Sequence, residues 1–574
     1  MMTMIEIQKI AKKYFSENLN SLTKTWLLFF LIGFKFSYAQ TPDKIDALFK
    51  EYNSSKTPGI AVSVIKDGNI IYQKGFGIAN LEYGTPITEK TKFHVASLSK
   101  QFTAFMILKL EDEGILSIND DVRKYIPELP NYGKTITIKH LLTHSSGLRE
   151  QWRLLEMAGW RLDDVITTKQ IFKLIKNQKE LNFLPGDRFM YCNSGFTLLA
   201  IIIERLTKTS FANYAHQTIF KPLQMSDSFF YDDHEELVSN RAYSYQRVNK
   251  KLKNSRLNFA TVGPTSLFTT VEDMSKWAIN FQKMTIGNKK IFQSMSLKGQ
   301  RNNGSFVSYA KGQFVRNYKG SKMIYHSGSD AGYRAYFARF PDLGYQFILF
   351  ANASYINARR ETYKLINLYL KDQQSKNGTN NSRSKTFNYD KTKFIKLSNA
   401  EMKKFEGTYF EREEKNYRKV QLKNDTLYYI RANGGSSKLL PVGKSNFKML
   451  GTPYDVSVNF KKNDYGEPIL ELRVPDIMWL WLSKVTKTKT PDDYLGSYYS
   501  NELKTQYDLV KKDKEFYLTH PRLDDIKITQ ITKANFSSKN RNFFDMRFKR
   551  DKAGKVVAFS VSNDGIKNIT FSKK

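Results

Sequence analysis

The stretch Ser97-Leu-Ser-Lys-Gln-Phe-Thr-Ala-Phe-Met-Ile-Leu-Lys-Leu-Glu-Asp-Glu113 decides the fold of this sequence. Its apolar side chains recur at helical spacing, and Gly114 can end the helix in a left-handed cap. Ser97 and Lys100 are three residues apart at its start, so that both side chains project from one face. The pattern predicts a buried helix that opens with a serine and a lysine; its apolar residues include Phe102, Phe105, Met106, Leu108 and Leu110.

A serine and a lysine at this spacing can act together in nucleophilic catalysis. Burial beside donor or cationic groups lowers the pKa of a lysine, and the neutral amine can then take the serine proton. The helix N-terminus adds backbone N–H groups that favour negative charge on an attacked carbonyl oxygen. The spacing alone has little specificity, because it recurs where no buried helix is predicted: at Ser21 with Lys24, Ser382 with Lys385 and Ser445 with Lys448.

Two further short motifs fit the same chemistry. Tyr191-Cys-Asn193 follows the Pro185-Gly186 turn and directly precedes an apolar pattern from Ser194 to Leu206, which predicts a second helix. A phenol near a lysine ammonium can shift towards phenolate and pass a proton to a leaving group. His326-Ser-Gly328 ends a predicted strand, where the histidine can hold a substrate carbonyl or carboxylate and the glycine allows close backbone approach.

The segments around these motifs predict sheet on both sides of a helical middle. The runs Gly59 to Lys66 and Ile70 to Phe76 are joined by Asp67-Gly-Asn69, which is typical of a hairpin. Three later runs alternate or are apolar, as in returning antiparallel strands, and Tyr355 to Lys371 predicts a closing helix. These three runs are Met323 to Tyr325, Gly332 to Phe340 and Tyr345 to Phe350.

Residues 1–39 have the features of an export signal. Lys24 precedes the apolar run Trp26 to Phe34, and Ser37-Tyr-Ala39 offers small residues at the positions that a signal peptidase reads. We expect cleavage after Ala39 and a periplasmic or secreted protein. Retention as an inner-membrane anchor is the alternative, although the apolar run is short for a span, which needs about 20 residues.

Beyond residue 372 the sequence changes character. Residues 373–396 begin with a polar stretch without periodicity and predict a linker after a catalytic domain at 40–372. An internal repeat follows, in which Phe405-Glu-Gly-Thr-Tyr409 matches Leu495-Gly-Ser-Tyr498. Short strands broken by Lys, Asn, Asp and Gly predict two accessory antiparallel β modules, sandwiches or barrels, at 397–487 and 488–574.

Composition excludes several classes of protein. With 41% hydrophobic and 14% aromatic residues, the 574-residue chain can bury more than one core. The formal net charge of +36 comes from basic residues interleaved with acids, which argues against nucleic acid as a partner and favours association with an anionic cell-envelope surface. The single cysteine, Cys192, excludes an intramolecular disulfide and a four-cysteine zinc site.

The motifs Ser-x-x-Lys, Tyr-x-Asn and His-x-Gly, in this order, resemble those of the serine β-lactamase and penicillin-binding-protein-like family, particularly its class C β-lactamase, D-aminopeptidase and esterase branch. The resemblance extends over residues 41–370 and includes His140-Leu-Leu-Thr-His-Ser-Ser-Gly-Leu148. It implies an α+β fold of the β-lactamase/transpeptidase type, with a mixed, mainly antiparallel sheet flanked by helices and an all-helical subdomain. The two C-terminal repeats resemble β modules often appended to this family.

The resemblance implies an acyl-enzyme mechanism. Ser97 would be the acylated nucleophile, and Lys100 and Tyr191 would share the base and acid roles. The backbone N–H groups of Ser97 and Ser329 would form the oxyanion hole, where loss of one donor typically costs about 3 to 4 kcal/mol of transition-state stabilisation. Acylation by an ester, amide or lactam carbonyl of a small molecule or peptide, followed by hydrolysis, needs neither a metal nor an organic cofactor.

Substrate binding would fall to Asn193, His326 and Gly328. Asn193 would hold the substrate amide, and His326 stands where many relatives have lysine. Because histidine is largely neutral near pH 7, His326 weakens the positive charge that would hold a penicillin or peptide carboxylate. This departure favours an esterase, amidase or peptidase over a dedicated β-lactamase. Cys192, where serine is usual, fits a small buried filler.

Other interpretations are compatible with the sequence. A penicillin-binding or sensing protein with little turnover, or a binding protein whose work is done by the repeats, would keep the same fold. A metal hydrolase would use His140 and His144, four residues apart, although no glutamate stands in the order that a zinc protease needs. His94, just before Ser97, fits a packed core position better than a catalytic one.

Overall fold

The structure, a computed structural model, describes residues 42–370, 387–390, 392–411, 416–462, 466–474, 478–486 and 492–574. The predicted signal segment, its cleavage site after Ala39 and residues 373–386 of the predicted linker lie outside these ranges. Among the described helices, none combines the length and the apolarity needed to cross a membrane.

A seven-stranded sheet forms the frame of the first domain, and every pairing within it is antiparallel. In chain order its strands are β1 (Ile60–Lys66), β2 (Asn69–Phe76), β3 (Tyr309–Ala310), β4 (Gln313–Tyr318), β5 (Ser321–Asp330), β6 (Tyr333–Phe340) and β7 (Tyr345–Ala351). In space the order is β3-β4-β5-β6-β7-β1-β2. The predicted hairpin joins β1 to β2, and Asp67 and Gly68 have the positive φ angles that a tight hairpin turn requires, 48° and 75°.

The helix predicted from Ser97 begins two residues later and runs over Ser99–Asp112 (α1). A 3-10 turn over Ala96–Leu98 holds Ser97 and leads into the helix. Most side chains of α1 are buried, and Phe102 stacks on Trp277 with ring centroids 4.4 Å apart. The helix therefore lies in the core and ends before Gly114, which has a φ of 73°.

Five helices between residues 138 and 215 form the all-helical subdomain. They are α2 (Ile138–Leu142), α3 (Gln151–Met157), α4 (Thr168–Lys176), α5 (Asn193–Thr207) and α6 (Phe211–Ala215). The helix predicted from Ser194 to Leu206 is α5, and it packs against α1 and against each of the other four. This contact joins the subdomain to the helix that follows Ser97.

Helices cover both faces of the sheet, because alternate residues of β1 point to opposite sides. Three further helices are α7 (Val271–Lys283), α8 (Lys289–Ser296) and α9 (Ala358–Tyr369). Ala61 and Ile65 join the core that contains α1 and α7, whereas Val62 and Val64 pack in the core that contains α9. The closing helix begins at Ala358 rather than at the predicted Tyr355, because the Asn357 side chain caps it by accepting a hydrogen bond from the Arg360 backbone.

Each C-terminal repeat folds into a closed antiparallel barrel of eight strands. A short helix, α10 (Asn399–Lys403), precedes the first barrel, whose strands are β8 (Gly407–Glu411), β9 (Asn416–Lys423), β10 (Thr426–Ile430), β11 (Ser436–Pro441), β12 (Asn446–Met449), β13 (Ser457–Lys462), β14 (Pro468–Val474) and β15 (Met478–Lys484). The second barrel contains β16 (Gly496–Ser500), β17 (Thr505–Lys512), β18 (Glu515–His520), β19 (Leu523–Gln530), β20 (Asn535–Ser538), β21 (Asp545–Arg550), β22 (Val556–Ser562) and β23 (Ile569–Lys573). The two barrels also share an individual hydrogen bond, since the hydroxyls of Tyr409 and Tyr498 each donate to the carbonyl four residues earlier.

The second barrel packs directly on the helical subdomain, and their buried apolar side chains form one continuous cluster. The Tyr507 hydroxyl donates to the Met157 carbonyl at 3.1 Å. Arg149 is fully buried between the two bodies and donates to Glu502 Oε2 and to the Lys567 carbonyl, both at 2.6 Å. The first barrel has its own core and touches the second through a small cluster of Phe410, Ile531 and Phe544.

Candidate active site

Ser97 and Lys100 meet as the spacing predicts. Lys100 Nζ donates hydrogen bonds to Ser97 Oγ at 3.0 Å, to Asn193 Oδ1 at 2.7 Å and to the Pro264 carbonyl at 2.7 Å. Lys100 is fully buried, whereas Ser97 is partly exposed. The amine is thus fixed beneath a serine hydroxyl that solvent can reach.

Burial lowers the pKa of Lys100 from its ordinary value to about 7. The negative charges of Asp330 and Glu150 act in the opposite direction and limit the decrease. A substantial fraction of Lys100 is therefore neutral near pH 7, and a neutral amine hydrogen-bonded to Ser97 Oγ can remove its proton.

The turn that holds Ser97 is constrained on both sides. Ala96 has a φ of 50°, which is costly for a residue with a Cβ atom. The Ser99 hydroxyl donates to the Ala96 carbonyl at 2.7 Å and accepts from the Leu267 backbone N–H at 3.1 Å, which ties the turn to a neighbouring segment. Gly328 of β5 lies so close that a Cβ atom there would be 2.1 Å from the Val95 carbonyl oxygen.

Tyr191 lies on the loop before α5, and Asn193 is the first residue of that helix; His144 binds the loop between them. His144 Nδ1 accepts a hydrogen bond from the Cys192 backbone N–H at 3.1 Å, and its ring lies 4.2 Å from that of Tyr191. Burial keeps the pKa of His144 well below its usual value, so that it is neutral. Cys192 is buried, and its Sγ contacts the Leu148 carbonyl at 3.3 Å.

The Tyr191 phenol behaves differently from the expectation of a shift towards phenolate. Lys100 Nζ lies 5.0 Å from the centre of the Tyr191 ring, but burial raises the pKa of the phenol above its ordinary value. Its buried hydroxyl forms no well-aligned hydrogen bond with a described group, and the nearby Ser97 side chain acts in the opposite direction by lowering the pKa of the phenol. Tyr191 is thus a protonated phenol, and Lys100 is the member of the pair that titrates near neutrality.

Asn193 connects the lysine to a residue that the sequence analysis missed. Its Oδ1 accepts from Lys100, and its Nδ2 donates to Glu150 Oε1 at 2.8 Å. Glu150 also caps α3 by accepting from the Trp152 and Arg153 backbone N–H groups. An acidic residue just before a helical pattern was the available signal for Glu150. Because both ends of the Asn193 amide are engaged, its contact with a substrate amide stays a prediction.

His326 lies on β5 with both ring nitrogens engaged by the protein. Nδ1 donates to the Ser327 carbonyl at 2.7 Å, and Nε2 accepts from the Tyr309 hydroxyl at 3.2 Å. Burial lowers the pKa of His326 to about 3, so that the ring is neutral. A substrate contact through His326 requires that one of these bonds be released, and this role also stays a prediction.

Ser329 and Asp330 are the last two residues of β5. Ser329 is exposed, lies three residues beyond His326 and is paired with Arg334 of β6 in the sheet register. Its role in the oxyanion hole stays a prediction. Asp330 is a second missed residue: it accepts a hydrogen bond from Thr265, and burial raises the pKa of its carboxyl to about 6. No local pattern singles it out, because its importance comes from its position near Lys100.

A cavity of about 1020 Å³ opens in front of this cluster. Tyr191, Asn193, Ser329, Asp330 and Glu150 line one side of it. The lining also includes residues of the second barrel, namely Arg541, Asp564 and Gly565. Tyr191, Asn193 and Ser329 therefore border a space large enough for a small molecule or the end of a peptide.

Hydrogen bonds join the second barrel to residues of the candidate site. The Gly565 carbonyl accepts from the Glu150 backbone N–H at 3.0 Å and from Asn182 Nδ2 at 2.9 Å. Arg153 Nε donates to Asp564 Oδ1 at 3.1 Å. The loop between β22 and β23 is thus joined through Glu150 and Asn193 to Lys100.

The histidines of the metal alternative have other partners. His140 Nδ1 accepts from the Thr137 backbone N–H at 3.2 Å as part of a capping box, and His144 supports the Tyr191 loop. Within the described residues, no group of three or more His, Cys, Asp or Glu side chains is placed to hold a metal ion. His94 is buried and packs on the Phe268 ring at 5.2 Å, and burial lowers its pKa to about 3.

Comparisons with known proteins identify the family of the first domain. A model of the family described as Beta-lactamase matches residues 45–371. Protein flp of Staphylococcus aureus strain MRSA252 is 28% identical over 324 residues, which cover 54% of this chain and 62% of flp. Penicillin-binding protein 4* of Bacillus subtilis strain 168 is 27% identical over 313 residues, which cover 52% of this chain and 69% of the relative. The match thus spans less than two thirds of the length of flp.

Among solved structures, the octameric penicillin-binding protein homologue from Pyrococcus abyssi superposes with a TM-score of 0.53 and 25% identity. The match covers 77% of this chain and 99% of that one, so that it extends beyond the first domain. The family match, the sheet with its all-helical subdomain, and the lysine bonded to Ser97 agree with one another. The chain therefore belongs to the beta-lactamase family, within the β-lactamase and penicillin-binding-protein-like superfamily of serine hydrolases.

Proposed function

We propose that this protein is an exported hydrolase that cleaves an ester, amide or peptide bond through an acyl-enzyme on Ser97. The main support is Lys100, which is buried, has a pKa of about 7 and donates a hydrogen bond to Ser97 Oγ at 3.0 Å. A lysine in that state is suited to act as a general base near neutral pH.

Acylation starts from neutral Lys100. Its amine accepts the Ser97 proton as Oγ forms a bond to the substrate carbonyl carbon, and the carbonyl oxygen becomes an oxyanion. The backbone N–H groups of Ser97 and Ser329 are the proposed donors to that oxygen, in a site where burial strengthens such bonds. Tyr191 is protonated, and its hydroxyl is the proposed donor of a proton to the leaving group when the tetrahedral intermediate collapses.

Deacylation repeats these steps with water. Lys100 first passes the proton that it took from Ser97 to the Tyr191 phenolate, so that the phenol is restored and the amine is neutral again. The neutral amine then accepts a proton from the attacking water. The ester bond to Ser97 Oγ then breaks, and Oγ takes the proton back. No metal or organic cofactor enters this sequence.

The identity of residue 326 supports an esterase, amidase or peptidase rather than a dedicated β-lactamase. The neutral His326 ring supplies no positive charge for the carboxylate of a penicillin. Screening against p-nitrophenyl esters, D-amino-acid amides and nitrocefin separates these activities. Fast nitrocefin hydrolysis with no ester or amide turnover would contradict the proposed preference.

Labelling with a fluorophosphonate probe tests the nucleophile. We expect one adduct, located at Ser97 by mass spectrometry and absent from Ser97→Ala. Ser445→Ala is a matched control: Lys448 follows at the same spacing but donates to Asp455 Oδ1 and Ser457 Oγ instead. An unlabelled wild-type protein would refute the hydrolase.

The principal alternative is a penicillin-binding or sensing protein with little turnover. Labelled penicillin distinguishes the two, because a hydrolase releases the acyl group whereas a sensor retains it. An adduct that persists for hours, together with no turnover of any substrate in the screen, would favour the sensor.

Export and attachment to an anionic cell-envelope surface are part of the same proposal. The apolar run before Ala39 and the formal net charge of +36 support them. N-terminal sequencing of the mature protein should begin at Gln40. An intact Met1 would contradict cleavage and leave anchoring in the inner membrane.

A further inference from the structure

A second, smaller cavity adjoins the one that Tyr191, Asn193 and Ser329 line. Its volume is about 220 Å³, and it shares Asn254, Ser255 and Arg256 with the larger cavity. Two arginines, Arg241 and Arg256, are among its lining residues, whereas no aspartate or glutamate is. The small cavity is therefore a positively charged extension of the candidate active site.

Arg241 is held in place without an acidic partner. Its guanidinium lies 5.8 Å from the centre of the Tyr231 ring and 5.0 Å from that of Phe268, and its Nε contacts the Tyr333 hydroxyl at 3.5 Å. The Tyr333 hydroxyl is itself fixed, since it donates to the Ala242 carbonyl at 2.6 Å. In the described part of the chain no carboxylate pairs with Arg241. The guanidinium group is therefore held in one orientation, and no negative charge neutralises it.

Arg256 supplies the second positive charge in the lining. It follows the strand Lys251–Asn254, which forms a hairpin with Tyr245–Val248, and its side chain is exposed and forms no described ion pair. The nearby Glu82 carboxylate is engaged by Asn254 Nδ2 at 2.9 Å and is not part of the cavity lining. Two guanidinium groups on one small cavity concentrate positive potential there.

We infer that Arg241 and Arg256 form an anion subsite that binds a carboxylate or phosphate group of the substrate. Guanidinium groups suit either anion, because their N–H groups bind two oxygens at once. The inference rests on the proposed function and adds a substrate class to it: esters or amides that carry an anionic group. The subsite supplies, from a different wall, the positive charge that His326 lacks.

Calorimetric titration of Ser97→Ala tests the subsite without turnover. The ligands are 3-acetoxybenzoate, its neutral methyl ester and 3-acetoxyphenyl phosphate. We expect at least one anionic ester to bind ten times or more tightly than the methyl ester, and this ratio to approach one when Arg241→Gln or Arg256→Gln is added to Ser97→Ala. Whichever anionic ester binds more tightly identifies carboxylate or phosphate as the preferred group.

Arg247→Gln is the matched control, because Arg247 lies on the same hairpin but stacks on Tyr355 at 4.4 Å and lines neither cavity. It should keep the anion preference. If Arg241→Gln fails to fold, the exposed Arg256 carries the test. Equal binding of both anionic esters and the methyl ester, or an equal loss in Arg247→Gln, would overturn the subsite.

Labelling of the wild-type protein keeps the two proposals separate. A fluorophosphonate adduct at Ser97 without anion preference would refute the subsite alone. Anion preference in Ser97→Ala without labelling of the wild type would refute the hydrolase and leave an anion-binding cavity.

Discussion

Lys100 owes its lowered pKa mainly to residues far from it in the sequence. Two of its three hydrogen bonds go to Asn193 and to the Pro264 carbonyl, and α5 packs against the helix α1 that carries it. Desolvation dominates over the attraction of Asp330 and Glu150, which is why the pKa falls to about 7. A lysine at the same spacing from a serine, Lys448, pairs with Asp455 instead.

The pH dependence of activity should follow Lys100. Because the neutral amine is the proposed base, kcat/KM should rise as pH increases through about 7 and level off above it. Steady-state rates from pH 5 to 9 with a neutral ester give the profile. A flat profile over that range would contradict the assignment.

Asp330→Asn should move this profile. The Asp330 carboxylate raises the pKa of Lys100, so that its replacement by an uncharged amide lowers that pKa and shifts the rise in kcat/KM to lower pH. Asp455→Asn, which removes the partner of Lys448, is the matched control and should leave the profile in place. A shift to higher pH in Asp330→Asn would refute this electrostatic role.

At the scale of elements, the site depends on the contact between β5 and the turn Ala96–Leu98. The helix α1 starts only after this turn, so that Ser97 is held by a constrained backbone rather than by regular helical hydrogen bonds. Gly328 permits the approach because it has no Cβ atom. Gly328 of the His-x-Gly motif therefore packs directly against the turn that carries Ser97 of the Ser-x-x-Lys motif.

Gly328→Ala should impair the nucleophile. The added Cβ would lie 2.1 Å from the Val95 carbonyl oxygen, so that β5 and the turn must separate, and overpacking of this kind typically costs about 1–3 kcal/mol of stability. We expect fluorophosphonate labelling of Ser97 to slow about tenfold or more. Gly443→Ala in the first barrel meets only ordinary contacts, with Asn446 at 3.4 Å, and should label at the wild-type rate. Equal rates for both variants would contradict the prediction.

At the scale of the whole molecule, the second barrel packs against the first domain as one body. It shares an apolar cluster with the helical subdomain and lines the cavity through Asp564 and Gly565. Arg149 is the polar centre of the interface, because it is fully buried and joins Glu502 to the Lys567 carbonyl. The module predicted as an accessory therefore shapes the candidate site.

Arg149→Met should loosen this assembly. Removal of one partner of a buried ion pair typically costs about 3–5 kcal/mol, because the other charge, here Glu502, is left unpaired. Arg541→Gln removes an exposed contact with Glu156 at the same interface and should cost less than about 1 kcal/mol. Urea unfolding midpoints, with limited proteolysis between the barrels and the first domain, measure the difference. Similar losses for both variants would contradict the central role of Arg149.

Much of the fold follows from local patterns. The hairpin at Asp67-Gly68, the two apolar helices and the repeated modules were predicted from periodicity and turn residues, and all are present. Boundaries differ where a side chain or a strained residue intervenes, as with Asn357 at the closing helix and Ala96 before Ser99. Local sequence does not report those constraints, because they depend on what packs against the segment.

The sequence by itself indicated that Ser97 and Lys100 lie side by side at the start of a buried helix, since α-helical and 3-10 geometry both bring residues three apart close together. Only the tertiary structure decided that Lys100 has a pKa of about 7, that Tyr191 is protonated and that the Gly565 loop of the second barrel borders the cavity. The physical reason is that desolvation and electrostatic potential depend on every group packed nearby, and those groups come from distant parts of the chain.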